Sequence, residues 1–299
     1  MPSTHFSIAG INVELASIKT SDFPRYTTCH NNLYKSLVPF ISTASPNCDL
    51  RIRCTELDEF AEKQLLLTES RYLSWYKLYD GGYRLIIHYS DDKSKHTILD
   101  VDDNFKNAII KRSCCTRLSC GEGECLFAGP HGEILVRYSA ILHGAIQIHS
   151  SAIGYGGKSI IFSAPSGTGK TTHAHFWVEH FNAFMLNGDR PIIRMHEDNA
   201  VFAYGSPWSG SDRFFVNKKL PLHAIVFIEQ AASNKVFKLE AHEAVDRILP
   251  RCYLPYFSPM MMVEALLNVE NILKHVPCYL LQCTPERSSA DLLKDYLGL

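Results

Sequence analysis

Residues 163–172 read Ser163-Ala164-Pro165-Ser166-Gly167-Thr168-Gly169-Lys170-Thr171-Thr172. An apolar, β-branched run, Ser159-Ile160-Ile161-Phe162, precedes them, and a helical pattern from His173 to Phe181 follows. Strand, glycine-containing loop and helix, in that order, form the setting in which a backbone cradles phosphate. The pattern is GxxxxGK followed by Ser or Thr. Ala164 stands at its first glycine, and Gly169, Lys170 and Thr171 keep the rest. Gly167 and Gly169 let the loop turn its N–H groups inward through conformations that cost a residue with a Cβ. Those groups and the helix N-terminus behind them attract anions. Lys170 supplies a cation for β- and γ-phosphates, and the Thr171 hydroxyl suits Mg²⁺. The expected nucleotide-binding residues are Ser166, Gly167, Thr168, Gly169, Lys170, Thr171 and Thr172.

Such a site also needs a carboxylate for the metal or the nucleophile. Asp189 follows the next apolar strand pattern, Ala183 to Leu186, and is the expected Mg²⁺ ligand, base, or both. Its alternative is a turn aspartate bonding its own backbone. His149 ends the strand pattern before the loop strand, where it either polarises the phosphates or plays a structural part. Arg213 is the candidate substrate residue, able to clamp a phosphate or carboxylate with both nitrogens, or else simply solvated. Trp208 either stacks on a base or packs within its loop. His173, His175 and His180 lack the HExxH pattern and read as packing or helix-surface residues.

Composition narrows the rest. The chain has 299 residues, is 46% hydrophobic and 20% charged, and carries a net charge of −1. That is ordinary globular composition with no electrostatic footprint for nucleic acid or an anionic membrane. No apolar run reaches the roughly 18 residues that span a bilayer. The N-terminus lacks a basic start and a continuous apolar core, so a signal peptide is not expected and a cytoplasmic location is. There the ten cysteines stay reduced. Cys114, Cys115, Cys120 and Cys125 cluster without paired CxxC spacing, which leaves zinc or plain thiols open.

Along the chain, residues 5–19 alternate around Ala9-Gly10, as a hairpin does. Residues 21–48 read as irregular around Pro24, Pro39 and Pro46. Strand patterns at 50–54, 71–80, 83–90 and 97–101 suggest an antiparallel meander. Gly129-Pro130-His131-Gly132 is the next strong breaker. It divides the chain into a smaller β-rich domain over 1–130 and a nucleotide-binding domain over 131–299. In the second part a helix is expected over 133–146 and strands at 146–149, 159–162, 183–186, 192–195, 201–204 and 222–229. Helices follow at 241–249, 259–275 and 286–297, the last with Thr284 as N-cap and Pro285 at its first position.

Taken together, these motifs resemble the HPr kinase/phosphorylase family and its phosphoenolpyruvate-carboxykinase-like relatives. The marks are His143-Gly144, then Ile146 to Ser151, the 163–172 loop, Asn187-Gly188-Asp189-Arg190-Pro191, and Gly205 to Gly210 followed by Arg213. The resemblance covers 133–230 best. It implies an α/β (α+β) kinase domain with a mixed, twisted sheet and flanking helices. It also implies a donor such as ATP, ADP or pyrophosphate with Mg²⁺, and a hydroxyl acceptor on a peptide, a protein or a small metabolite. Related kinases often assemble, so a homo-oligomer fits. The family's histidine falls on His149. Its adjacent acidic pair falls on Gly188-Asp189, so one carboxylate is missing. The activity implied is phosphoryl transfer through Lys170, Asp189 and His149; the alternative is a nucleotide-binding sensor or scaffold.

Overall fold

The computed structural model describes residues 3–16, 36–43, 47–56, 64–89, 91–93, 96–112, 127–210 and 214–299. It is a mixed α/β structure with two mixed sheets and few helices. The chain divides into two units of nearly equal length. One comprises 1–142 and 255–260, the other 143–254 and 261–299. The division falls after Leu142 rather than at the Gly129–Gly132 breaker. Helix α1 (Pro130–Ile141) belongs to the first unit, where Tyr138 meets Phe105 and Phe257 edge-on.

In the first unit, β1 (Ser3–Ile8) and β2 (Ile11–Ala16) form the expected hairpin about Ala9-Gly10. The sheet continues with β3 (Leu50–Glu56), β4 (Gln64–Glu69), β5 (Leu73–Leu78), β6 (Tyr83–His88), β7 (His96–Val101) and β8 (Asn107–Arg112). Its order is β1-β2-β3-β8-β7-β6-β5-β4. It is not a simple antiparallel meander, because β3 runs parallel to both β2 and β8. Segment 255–260 returns to this unit. Phe257 stacks on Trp75 with centroids 3.8 Å apart, and Ser258 bonds the Tyr83 hydroxyl.

One ionic cluster, with Arg84 buried and Asp100 and Lys111 partly so, lies beside this core. Arg84 Nε lies 2.6 Å from Asp100 and Lys111 Nζ 2.8 Å from it. Burial alone would raise the Asp100 carboxyl; hydrogen bonds from Arg84 and Lys111 outweigh it and hold it below the usual carboxylate range. Replacing Asp100 by Ala strands a guanidinium whose side chain is 4% exposed. Denaturant melts should then lose about 3–5 kcal/mol. In the wild type the contribution is present above the ordinary aspartate value and disappears as pH falls through the depressed one. A melt unchanged by the substitution contradicts this reading.

In the second unit the strands are β9 (Ala145–Gln147), β10 (Ser151–Tyr155), β11 (Lys158–Ser163), β12 (Phe184–Asn187), β13 (Ile192–Met195), β14 (Val201–Tyr204), β15 (Lys219–Gln230), β16 (Lys235–Lys238) and β17 (Cys278–Cys283). The main path runs β12-β10-β11-β15-β14-β13-β9, with β17 beside β15 and β16 beside β17. Expectation and structure differ around 142–155. The helix ends at Ile141, because 145–147 is drawn into a ladder with β13. The strand feeding β11 is β10, not the 146–149 run.

Helix α2 (Lys170–Phe181) follows β11 and packs on β10, β11 and β12. Its Trp177 is fully buried between Tyr155 and Phe181, both edge-on. Helices α3 (Ala241–Ile248), α4 (Pro259–His275) and α5 (Arg287–Tyr296) complete the chain. The N-cap of α5 is Glu286, not Thr284. The Thr284 hydroxyl and amide turn to Asn234 instead.

Strand directions concentrate chemistry at one edge. β15 is parallel to β11, and β17 is parallel to β15. β10 is antiparallel to both β11 and β12, so β12 also points the way β11 does. The carboxyl ends of β11, β12, β15 and β17 and the beginning of β10 therefore share an edge. Ligands of open α/β sheets collect outside such strand ends.

Candidate active site

The 163–172 loop leaves β11 at that edge. Gly167 sits at φ +76° and Gly169 at φ +112°, and a Cβ at either would meet open space. The glycines are thus required for backbone conformation, not for room. Gly169 caps α2, and Lys170 is its first residue. The Lys170 side chain folds back over the loop, its Nζ donating to the carbonyls of Ala164 at 3.0 Å and Pro165 at 3.3 Å. Burial lowers the Lys170 pKa; the Asp189 charge opposes that shift and the Arg251 charge adds to it.

Asp189 reaches the same place from β12. Asn187, fully buried, builds the turn. Its Oδ1 accepts the amides of Asp189 at 3.0 Å and Arg190 at 2.6 Å. Its Nδ2 donates to the Ser206 and Trp208 carbonyls, which ties the 205–210 loop to the turn. Ser206 Oγ donates to the Arg190 carbonyl, and Ser151 Oγ to that of Gly188. Gly210 lies against the Asp189 carboxylate. A Cβ there would fall 2.7 Å from Oδ2, on a backbone already at φ +67°.

His149 comes from the link between β9 and β10. Its amide donates to the Arg251 carbonyl at 2.8 Å, and the Ser150 amide donates to that of Asp189 at 3.0 Å. His149 Nδ1 then stands 2.9 Å from Asp189 Oδ1, while Arg190 Nε donates to Oδ2 at 3.0 Å. The His149 hydrogen bond, with Arg190 alongside, holds the Asp189 carboxyl below the usual range against the effect of burial.

These groups line one cleft of about 460 Å³. Its walls carry His149, Ser166, Gly167, Gly169, Lys170, Thr171, Thr172, Gly188, Asp189, Arg190, Ser209 and Gly210. Of the expected loop residues, Thr168 alone is missing from the cleft and faces the other side of the loop. Arg213 lies outside the described residues, as do Cys114, Cys115, Cys120 and Cys125. Trp208 is 7% exposed, so it packs in and offers no open stacking face. Among the described residues, no group of three or more His, Cys, Asp or Glu is arranged to hold a metal by itself. Asp189 and the Thr171 hydroxyl are the residues that could hold Mg²⁺, a metal that commonly takes one or two protein oxygens and keeps several waters.

Sequence reading missed three contributors. Asn187 had a local signal, an Asn two residues before the Asp it positions, as in an Asx turn. Arg190 adjoins Asp189 in sequence, but adjacency does not say that its Nε turns back onto the carboxylate. Arg251 had no signal, because its approach depends on the bridge between Ile148 and Cys252.

No family model matches the chain, and no curated protein matches it. Among solved structures, the Hpr(Ser) kinase/phosphatase from Coxiella burnetii is similar over 51% of this chain and 88% of that one, at 11% identity and a TM-score of 0.31. Similarity at that level does not establish a shared fold, so the site rests on its own geometry.

Proposed function

We propose that the protein is an ATP- and Mg²⁺-dependent kinase. It transfers a phosphoryl group to a hydroxyl on a Ser side chain of a peptide or protein, or on a small Ser-like metabolite. The observation that carries this reading is Asp189, held by His149 and Arg190 in the cleft that Lys170 also lines. The loop amides and Lys170 bind the phosphates and stabilise charge that develops in transfer. Thr171 and Asp189 are the residues that would hold Mg²⁺, which when bound neutralises phosphate charge. Asp189 also takes the hydroxyl proton, and His149 orients it.

A second reading is a nucleotide-binding sensor or scaffold. Two observations favour it. Gly188 lines the cleft where the resemblance implies a second carboxylate, and both Asp189 oxygens are already engaged. The test incubates Mg²⁺ and ATP with free serine and with serine peptides, reading phosphorylated product by mass spectrometry. Product from the wild type supports the kinase. ATP binding without product from the wild type overturns it in favour of the sensor; product gained by Gly188→Asp then traces the loss to the missing carboxylate, and no gain counts against that cause. That substitution is compatible with the backbone, since Gly188 is not among the positive-φ glycines.

A further inference from the structure

A second cavity, of about 140 Å³, adjoins the cleft across the loop. Gly167, Gly169 and Thr172 line both. Its apolar wall is Phe176, Ile228, Cys283 and Pro285, and its rim carries Thr168, Gln230 and Thr284. The Gln230 amide donates to the Thr168 carbonyl at 3.4 Å, tying the end of β15 to the loop. His173 completes the lining. Its ring packs on Phe162 with centroids 4.8 Å apart. Burial lowers its pKa to about 4, and the Ser289 backbone pulls the other way too weakly to offset that. The ring is therefore neutral near pH 7.

Among the described residues nothing charged faces this slot: no Asp, Glu, Lys or Arg lines it. It is a poor receptor for a phosphate or a carboxylate. Its volume far exceeds the roughly 10–15 Å³ that one water needs, and is well short of the roughly 300 Å³ at which drug-sized pockets begin. A neutral, flat heterocycle suits an apolar wall with a polar rim. We infer that the slot takes the base of a nucleotide whose phosphates occupy the adjoining cleft, so that the phosphoryl donor is a nucleoside phosphate rather than pyrophosphate. This rests on the phosphate reading of the cleft. It assigns the base to the side of the loop away from Asp189, and not to the buried Trp208.

Isothermal titration with Mg²⁺ and either ATP or inorganic tripolyphosphate separates the two assignments. Wild type should bind ATP on the order of tenfold more tightly than tripolyphosphate, the scale of one base–aromatic contact. Phe176→Ala removes the ring wall. Gln230→Trp, at an exposed position, fills the slot from its rim without touching the core. Both should erase the advantage of ATP, and Phe176→Ala, which leaves the Gln230–Thr168 tie in place, should leave tripolyphosphate binding unchanged. The inference fails if wild type binds tripolyphosphate as tightly as ATP, or if Gln230→Trp binds ATP as wild type does. Tripolyphosphate binding with no gain for ATP removes the slot and leaves the cleft reading intact. Binding of neither removes both.

Discussion

Lys170→Ala is expected to slow phosphoryl transfer by about 10³ and to remove the thermal stabilisation given by Mg²⁺ and ATP. The Lys170 ammonium is the one cation carried by the 163–172 loop, and its side chain is anchored over two loop carbonyls. Removing a donor aimed at developing charge in a dry site costs about 10²–10³ in rate; the loss of a full charge belongs at the upper end. The wild type at about 100 times its dissociation constant gains about 2.7 kcal/mol of stability from a ligand. The variant should show almost none of that gain. Its own fold should survive, because the burial that lowers the Lys170 pKa marks a charge costly to desolvate. The comparison is a melting curve with and without ligand, followed by a transfer assay. Undiminished transfer by Lys170→Ala would sink the assignment of the cleft.

The part of the site that was legible is the part written contiguously. The 163–172 loop announces itself through glycines, a lysine and its flanking strand and helix. Asp189 was legible because it closes an apolar run, and the geometry explains why a residue one strand away reaches the loop. β12 and β11 flank β10 and point the same way. What stayed hidden is pairing between distant segments. Nothing local in Leu222–Glu229 says that it lies parallel to β11, and nothing in 278–283 says that it lies parallel to β15. A short apolar run such as Cys278–Cys283 does not by itself declare strand or helix. β4 was invisible for the opposite reason. It is an edge strand whose Leu65, Leu66 and Leu67 are exposed, so no alternation marks a buried face. The slot beside the loop could not be read at all, since its walls come from α2, the end of β15 and the end of β17.

Asp189→Asn carries the other large effect. The substitution keeps the shape of the side chain and the Asn187 turn beneath it, but removes the charge that faces Lys170 and pairs with His149 and Arg190. If Asp189 both ligates Mg²⁺ and accepts the proton, transfer should fall by at least about 10²–10⁴. Binding of ATP without Mg²⁺ should survive, while the increment that Mg²⁺ adds should vanish. That split distinguishes a metal-and-base carboxylate from one that merely holds the turn, whose loss would weaken both equally. The pH dependence follows from the same contacts. In the wild type the carboxyl is held below the usual value by the His149 hydrogen bond first and by Arg190 next. Activity should therefore persist as pH falls to the ordinary aspartate pKa of about 3.9, so long as the fold survives. His149→Ala removes the larger influence, and the acid limb should move upward toward that value. Stability obeys the same sign: the contribution of Asp189 is present above its unfolded pKa and lost as pH falls through the depressed folded one. A pH–rate profile of the three proteins decides the matter. An acid limb at the same pH with and without His149 would mean that Asp189 is not the titrating group, and the proton would have to leave by another route.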